Sequence, residues 1–161
     1  MKIVLEEVLQ ESMRLLTLKL ATAESCTGGL VSHRITNISG SSEYFPGGVV
    51  AYSYEAKVNL LGVSWDTLNS YGAVSQETVL EMARGAQKKF SADIGLSVSG
   101  IAGPTGSMPG KPIGTTWLGL STKTGEWARH FIWDGDREQN KQDSAEAALQ
   151  FVIDYLEGKL L

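Results

Sequence analysis

The sequence has little cysteine and little histidine. It contains one cysteine and two histidines in 161 residues. A single cysteine cannot close an internal disulfide, and so few thiol and imidazole groups are a poor supply of ligands for a transition metal. We therefore expect chemistry that uses neither a metal nor another cofactor.

Clusters of basic residues and long apolar runs are also missing. Lys and Arg number 14 against 18 Asp and Glu, which gives a net charge of −4. The electrostatic footprint of a nucleic-acid-binding protein is therefore absent. No apolar stretch approaches the length of about 20 residues that spans a membrane, and residues 1–7 become acidic before a signal-peptide core can form. These absences predict a cytoplasmic protein without a nucleic-acid or membrane partner.

What remains is the composition of a globular protein, 42% hydrophobic and 20% charged, with a length that suits a single domain over residues 1–161. Predicted helices cover residues 3–18, 30–35, 54–61, 65–71, 78–90 and 136–156, and predicted strands cover 18–23, 48–53, 94–99, 115–121 and 127–133. The last two strands form a hairpin, and the glycine- and proline-rich residues 100–114 form a loop. Because helices and strands alternate, we predict a three-layer α/β/α sandwich on a mixed sheet.

The first candidate site is the strand-to-helix junction from Glu24 to Gly29. Its small residues let the backbone turn sharply and approach a ligand. The helix that follows aims free N–H groups and its positive dipole end at the same point. A serine placed there has an oxyanion hole or a phosphate cradle beside it. Ser25 is therefore a candidate nucleophile; the alternative is that Ser25 or Thr27 only caps the helix.

The second candidate is Lys57, which precedes Leu60 and Leu61 by three and four residues. This spacing places Lys57 on the apolar side of a short helix. Apolar surroundings disfavour the charged form of a lysine, lower its pKa and allow it to act as a base. The alternative is that its stem packs on the leucines while the ammonium group reaches water.

Two further segments are candidates for ligand binding. The glycine-rich loop from Ser99 to Gly106 follows a buried strand, where α/β sheets place their binding crevices. It lacks the spacing of a P-loop or a dinucleotide fingerprint. Arg137 and Lys141 continue the inward-facing stripe of the last helix beyond its apolar part. They are candidates to anchor a phosphate or carboxylate; for Arg137 the alternative is a surface ion pair with a neighbouring acid.

Cys26 is a rival nucleophile, but a catalytic cysteine needs a histidine within reach. His33 lies two turns further along the same helix, and the place of His130 in a late strand is not fixed by the sequence. Neither histidine completes a Ser-His-Asp arrangement. We therefore interpret Cys26 as a buried structural residue, and the absence of a histidine base strengthens the case for Lys57.

Seven segments in this order resemble the CinA C-terminal domain family. They are Thr22–Gly29, Gly40–Ser42, Gly47–Ser53 with Glu55–Lys57, Gly72–Ser75, Ser99–Pro104, Lys111–Thr115 and Gly135–Arg137. The resemblance covers residues 5 to 156. Because no N-terminal CinA-type domain precedes it, we expect the stand-alone form, whose members include nicotinamide-nucleotide amidases (PncC type).

The resemblance implies hydrolysis of the carboxamide of nicotinamide mononucleotide to nicotinate mononucleotide and ammonia, a step in pyridine-nucleotide recycling. It implies a metal-free serine–lysine mechanism in which Ser25 is the nucleophile, Lys57 is the base and Tyr52 assists. Backbone N–H groups near Cys26–Gly28, in the turn after Ser25 (the Ser25 turn), would stabilise the oxyanion, and we assign the ribose-phosphate end to the Gly100–Gly106 loop and Arg137. The residues expected to contact the substrate are Thr27, Gly28, Gly29, Ser42, Gly100, Ala102, Gly103, Thr105, Gly106 and Arg137.

Three positions depart from the family pattern. Ser107 stands where another glycine is expected, Ser99 where many relatives have Thr, and Lys141 where relatives often carry Arg. The first two affect loop shape, and the third gives up bidentate recognition of an anion. None of them removes the serine or the lysine.

Two other functions are compatible with parts of the sequence. One is a non-catalytic nucleotide-binding or regulatory module on the same fold; retention of Ser25, Lys57 and Tyr52 favours the enzyme over it. The other, a DNA-uptake or repair factor suggested by the family name, finds no basic surface. We also expect a homo-oligomer, most simply a dimer that pairs through an aromatic patch of Trp65, Trp127 and Trp133.

Overall fold

The computed structural model describes residues 2–160. The helices are α1 Leu5–Leu16, α2 Leu30–Thr36, α3 Tyr54–Leu61, α4 Trp65–Tyr71, α5 Gln76–Lys89 and α6 Arg137–Leu156. The strands are β1 Leu20–Glu24, β2 Gly47–Val50, β3 Ile94–Gly100, β4 Thr115–Thr122 and β5 Glu126–Ile132, and a 3₁₀ turn covers Ser41–Glu43. Among these described residues, no helix combines the length and apolarity needed to cross a membrane.

The five strands form one sheet in the order β2-β1-β3-β4-β5. Strands β2 and β3 both run parallel to β1, whereas β4 is antiparallel to both β3 and β5. The parallel pairs need crossover connections, which carry α2 to α5, and the last pair needs only the hairpin turn. The predicted mixed sheet is therefore confirmed. As a consequence, the carboxyl ends of β1, β2 and β3 meet at the same edge.

Helices cover both faces of this sheet. Helices α1, α2 and α6 bury one core, which includes Leu9, Ile35 and Phe151. On the opposite face, helices α3, α4 and α5 bury a second core around Leu68 and Met82. All five residues of β1 are buried because this strand lies between the two layers. The three-layer α/β/α sandwich predicted from the sequence is confirmed.

One predicted strand ends early. The pattern predicted a strand over residues 48–53, but β2 ends at Val50. Ser53 leaves the strand because its side chain caps α3, accepting a hydrogen bond from the Ala56 N–H at 3.0 Å. Tyr52 therefore lies in a short connection between β2 and α3 rather than in a strand.

The three tryptophans do not form one patch. Trp65 lies on α4 beside Tyr54, with ring centroids 6.3 Å apart. Trp127 packs on Tyr155 of α6 on the opposite side of the sheet, and the Trp133 indole donates to Ser144 of the same helix at 3.0 Å. The expected aromatic patch is therefore wrong, because the sheet separates its members.

Candidate active site

The site begins where two neighbouring parallel strands end. Ser25 directly follows β1, and Ala51 directly follows β2. The Ser25 N–H still donates to the Val98 carbonyl of β3 at 2.9 Å, and the Ala51 N–H donates to the Glu24 carbonyl at 2.9 Å. Both residues are thus held by the sheet although they lie beyond it. This edge is where open α/β sheets bind their ligands.

Lys57 reaches this edge from α3. Its Nζ is 3.0 Å from the Ser25 Oγ and 2.9 Å from the Ala51 carbonyl oxygen. Lys57 is 1% exposed and Ser25 is 8% exposed. The two residues predicted as base and nucleophile are therefore in direct hydrogen-bond contact. The alternative, that the lysine stem packs on leucines while the ammonium group reaches water, is wrong, because the whole side chain is buried.

The surroundings of Lys57 favour its neutral form. No carboxylate of the described chain lies within ion-pair distance of its Nζ. Burial therefore acts without an opposing carboxylate and outweighs the interaction with the neighbouring Cys26, so it lowers the pKa of Lys57 below its ordinary value. A neutral amine that donates one N–H to Ala51 keeps a lone pair, and that lone pair can accept the Ser25 hydroxyl proton.

Glu24, the last residue of β1, is the charged residue nearest in sequence to Ser25. Its side chain hydrogen-bonds the turn and the start of α2. Its carboxylate is 1% exposed and accepts from the N–H groups of Val31 and Ser32 at 2.8 and 3.1 Å. It also accepts from the hydroxyls of Thr27 and Ser32 at 2.7 and 2.6 Å. The prediction that the first turn of α2 offers these N–H groups to a ligand is therefore wrong.

The donors that remain belong to the turn itself. Gly28 and Gly29 have φ values of 58° and 106°, which favour glycine and fold the chain tightly after Ser25. The backbone N–H groups of Cys26 and Thr27 find no acceptor among residues 2–160. Gly29 stands at the N-cap position of α2 without a side-chain cap. The capping alternative for Ser25 and Thr27 is therefore wrong, and the Thr27 side chain, bonded to Glu24, does not face a ligand.

Cys26 is a packed thiol, as the sequence indicated. It is 7% exposed, and burial raises the pKa of its thiol to about 12. A Cβ on Gly100 would lie 3.1 Å from its sulfur, so the strand β3 glycine is needed for this contact. A thiol with so high a pKa supplies almost no thiolate at neutral pH.

Two hydrogen bonds join the glycine-rich loop to α6. Arg137 donates to the Gly103 carbonyl at 2.9 Å, and the buried Asn140 donates to the Ala102 carbonyl at 3.0 Å. Within the described chain Arg137 forms no ion pair, so the surface-pair alternative is wrong. Thr105 and Gly106 lie at the exposed tip of this loop.

Tyr52 lies apart from the serine–lysine pair. Its side chain is 62% exposed, and its hydroxyl accepts from Arg137 at 3.0 Å. No hydrogen bond joins this hydroxyl to Ser25 or Lys57 within residues 2–160. The structure thus connects Tyr52 to the loop-binding arginine, and its expected part in proton transfer has no supporting contact.

Ser42 lies near the start of β1, at the opposite end of that strand from Ser25 of the same chain. It is exposed in the 3₁₀ turn, whose neighbour Tyr44 accepts from the Leu20 N–H at the start of β1. Ser25 follows the other end of that strand. The expectation that Ser42 contacts the substrate is therefore wrong for this chain, because β1 separates the two residues.

A cavity of about 400 Å³ opens beside the Ser25 turn. It is lined by Leu30, Arg137, Glu138, Lys141 and Gln142. The Nζ of Lys141 lies 3.9 Å from the point that a Cβ on Gly28 would occupy. A small anionic group that enters this cavity meets two basic side chains next to the Ser25 turn.

Sequence reasoning missed Glu24, the Ala51 carbonyl and Asn140. A glutamate that ends an otherwise uncharged strand, directly before a glycine turn, was a usable signal for Glu24. Asn140 lies one turn after Arg137 and shares its helix face. Nothing in the sequence identifies the Ala51 carbonyl, because every residue carries one.

Together the fold and this edge define an α/β domain with a buried serine–lysine pair beside a glycine-rich loop. The family model described as the CinA C-terminal domain matches residues 2–156. The chain therefore belongs to the CinA C-terminal domain family.

Individual relatives agree with this assignment. A CinA-like protein from Kosmotoga olearia is 48% identical over 148 residues, which are 92% of this chain and 36% of that protein. The chain thus spans about a third of the length of this curated relative. The crystal structure of the competence damage-inducible protein A from Klebsiella pneumoniae matches with a TM-score of 0.92 at 33% identity, covering 95% of both chains. That of the competence/damage inducible protein CihA from Agrobacterium tumefaciens matches with a TM-score of 0.87 at 36% identity, covering 97% of both.

Proposed function

We propose that this domain is a metal-independent amidase that hydrolyses the carboxamide of nicotinamide mononucleotide. The observation that carries the proposal is the 3.0 Å contact between the Ser25 Oγ and the buried Lys57 Nζ. Activated serine nucleophiles in amide hydrolysis require a base at this distance. A lysine without a carboxylate partner supplies that base in its neutral form.

In the proposed reaction, Ser25 transfers its proton to Lys57 as its Oγ attacks the carboxamide carbon. The N–H groups of Cys26 and Thr27, which have no acceptor among residues 2–160, are placed to stabilise the oxyanion that forms on the carboxamide oxygen. Lys57 then delivers the proton to the departing nitrogen, which leaves as ammonia. The remaining ester on Ser25 is cleaved by water, whose proton passes to Lys57 and from there back to the Ser25 Oγ.

The rest of the site suits a nucleotide. The cavity beside the Ser25 turn carries Arg137 and Lys141, and cations of this kind bind phosphate. The loop from Ile101 to Gly106 is held in place by Arg137 and Asn140, so it presents a fixed wall to the ligand. These contacts support a substrate that carries a phosphate group beside the group that reacts with Ser25.

The test is ammonia release from nicotinamide mononucleotide by the purified protein, without added metal. Ser25→Ala should reduce the rate to background, because the nucleophile is lost. The matched control is Ser121→Ala, which removes another buried serine, on β4, whose hydroxyl donates to Gln87 of α5; it should keep the wild-type rate. Full activity in Ser25→Ala would exclude this mechanism.

Binding measured alongside separates the amidase from the non-catalytic module. Calorimetric titration of the wild type with the nucleotide should show binding together with turnover. Binding without ammonia release would contradict the amidase and identify a nucleotide-binding or regulatory domain.

A further inference from the structure

We infer that Glu24 is the positioning residue of this site: its carboxylate sets the shape of the turn that holds Ser25. The inference rests on the proposed role of Ser25 as a nucleophile. The Glu24 side chain hydrogen-bonds neither the Ser25 Oγ nor Lys57. It acts through the residues that it holds inside the turn and at the start of α2.

The geometry of the carboxylate carries the inference. One oxygen, Oε1, accepts from the Thr27 hydroxyl inside the turn and from the Val31 N–H at the start of α2. The other oxygen, Oε2, accepts from the N–H and the hydroxyl of Ser32. Glu24 therefore joins the end of β1, the turn and the first turn of α2 through four hydrogen bonds. Few conformations of residues 25–29 satisfy all of these contacts at once.

The main chain of Glu24 fixes the other half of the site. Its carbonyl accepts from the Ala51 N–H at 2.9 Å, and the Ala51 carbonyl in turn accepts from Lys57 at 2.9 Å. One residue thus binds the turn that carries the nucleophile and the segment that orients the base. Displacement of Ser25 Oγ relative to Lys57 Nζ is the expected consequence of losing the carboxylate.

Burial makes the carboxylate sensitive to substitution. Glu24 is 1% exposed, so water cannot replace a lost partner. In Glu24→Gln, the amide oxygen keeps one pair of donors while the NH₂ group faces the other pair. A hydroxyl can turn and accept from that NH₂ group, but the backbone N–H of Val31 or Ser32 cannot. The substitution preserves size and removes one backbone hydrogen bond from the turn.

The experiment compares Glu24→Gln with wild type in two assays. The first measures kcat and KM for ammonia release from nicotinamide mononucleotide. The second measures the rate at which phenylmethylsulfonyl fluoride labels Ser25, a reaction in which the Ser25 Oγ–S bond forms, fluoride leaves and the serine proton passes to Lys57. We expect both kcat and the labelling rate to fall about 100-fold, the loss associated with a misplacement of about 1 Å. We expect KM to change by less than about threefold, because the substrate contacts remain.

The matched control is Asp154→Asn. Asp154 is a half-buried carboxylate that accepts from Arg129 and Gln150, each at 2.7 Å, near the far end of α6. It lies about 25 Å along that helix from Arg137. A purely structural role of Glu24 predicts that both variants lower the unfolding midpoint and that the folded fraction of each keeps the wild-type kcat. A positioning role predicts the loss of kcat only in Glu24→Gln.

Two milder variants apply if Glu24→Gln does not fold. Thr27→Val and Ser32→Ala each remove one hydroxyl donor and leave the carboxylate in place, and each should slow Ser25 labelling by about tenfold. Wild-type labelling rates in folded Glu24→Gln, or in both milder variants, would overturn the inference. If the wild type releases no ammonia but its Ser25 is labelled, the proposed function fails and the labelling rates alone judge Glu24. A wild type that releases no ammonia and whose Ser25 resists labelling would overturn both.

Discussion

Two cationic side chains of this domain, Arg34 and Lys57, are withdrawn from solvent in opposite electrostatic settings. Arg34 on α2 is 17% exposed and contacts two carboxylates, those of Glu6 and Glu146, each at 2.6 Å. Lys57 on α3 is 1% exposed, and among residues 2–160 its Nζ hydrogen-bonds only the Ser25 hydroxyl and the Ala51 carbonyl. One region therefore holds a partly buried cation with counter-ions, and the other holds a fully buried amine without one among the described residues.

The pKa values move in opposite directions as a result. Burial alone would lower the pKa of Arg34, but hydrogen bonds to Glu6 and Glu146 outweigh it and the pKa is raised. Burial lowers the pKa of Lys57, and no carboxylate opposes it. A paired cation joins α1, α2 and α6 and stays charged, whereas an unpaired one is prepared to release its proton. This difference favours Lys57, and not Arg34, as the proton acceptor of the proposed reaction.

Among the variants that test this comparison, Lys57→Arg should lose the most activity. A guanidinium group keeps the positive charge but cannot release a proton in a protein, so Ser25 loses its base. We expect kcat for ammonia release to fall by about 100- to 10,000-fold, the contribution of a positioned general base. Lys88→Arg, at an exposed position of α5, is the matched control and should keep the wild-type rate. Retained activity in Lys57→Arg would show that Lys57 does not act as a base.

The sequence predicted the fold and the serine–lysine pair more fully than the contacts around them. The spacing of apolar residues is a local signal, and it located the helices and strands that alternate along the chain. Helical spacing placed Lys57 on an apolar face, and the structure puts that face against Ser25. Glu24 was missed because its partners lie seven and eight residues away on another element, and only the folded turn brings them together.

The same reason explains why Tyr52 and Ser42 do not contact the serine–lysine pair. Both were assigned from family segments that lie next to functional residues in the sequence. In the fold, the early end of β2 turns Tyr52 toward Arg137, and the length of β1 separates Ser42 from the site. Sequence neighbourhood predicts spatial neighbourhood only inside one regular element.

A smaller effect is expected on stability, and its pH dependence should differ between the two cations. The folded pKa of Lys57 lies below its ordinary value of 10.5. Below the folded pKa both states carry the proton, and the folded state bears the full desolvation cost. Between the folded pKa and about 10.5 the unfolded state binds more protons, so wild-type stability rises with pH. Lys57→Met should lack this rise, so it should lose stability relative to wild type as the pH is raised.

Arg34→Met should show a deficit that changes in a different, acidic pH range. It leaves Glu6, 12% exposed, without its partner, and we expect a loss of about 1–3 kcal/mol near neutral pH. In wild type, burial would raise the pKa of Glu6, but the Arg34 hydrogen bond outweighs it and the pKa lies below its ordinary value of 4.5. The pair therefore stabilises the fold above about 4.5, and that stabilisation disappears as pH falls through the folded pKa of Glu6.

Urea unfolding of wild type and both variants from about pH 4 to about pH 10 checks this pair of expectations. The deficit of Arg34→Met should shrink at the acidic end, and any advantage of Lys57→Met should shrink at the alkaline end. If the stability differences of the two variants from wild type change over the same pH range, the contrast between a paired and an unpaired cation is wrong.

Tyr52→Phe should have the smallest effect. The Tyr52 hydroxyl is bonded to Arg137 and not to Lys57, so its removal costs one partly exposed hydrogen bond at the loop. We expect kcat/KM to fall by about threefold, mainly through KM, because the loss of such a bond costs about 0.5–1 kcal/mol. Steady-state kinetics of Tyr52→Phe beside Lys57→Arg separates two roles for the tyrosine. A loss of kcat comparable to that of Lys57→Arg would instead make Tyr52 part of the proton-transfer path, and the unpaired lysine would then not be the sole base.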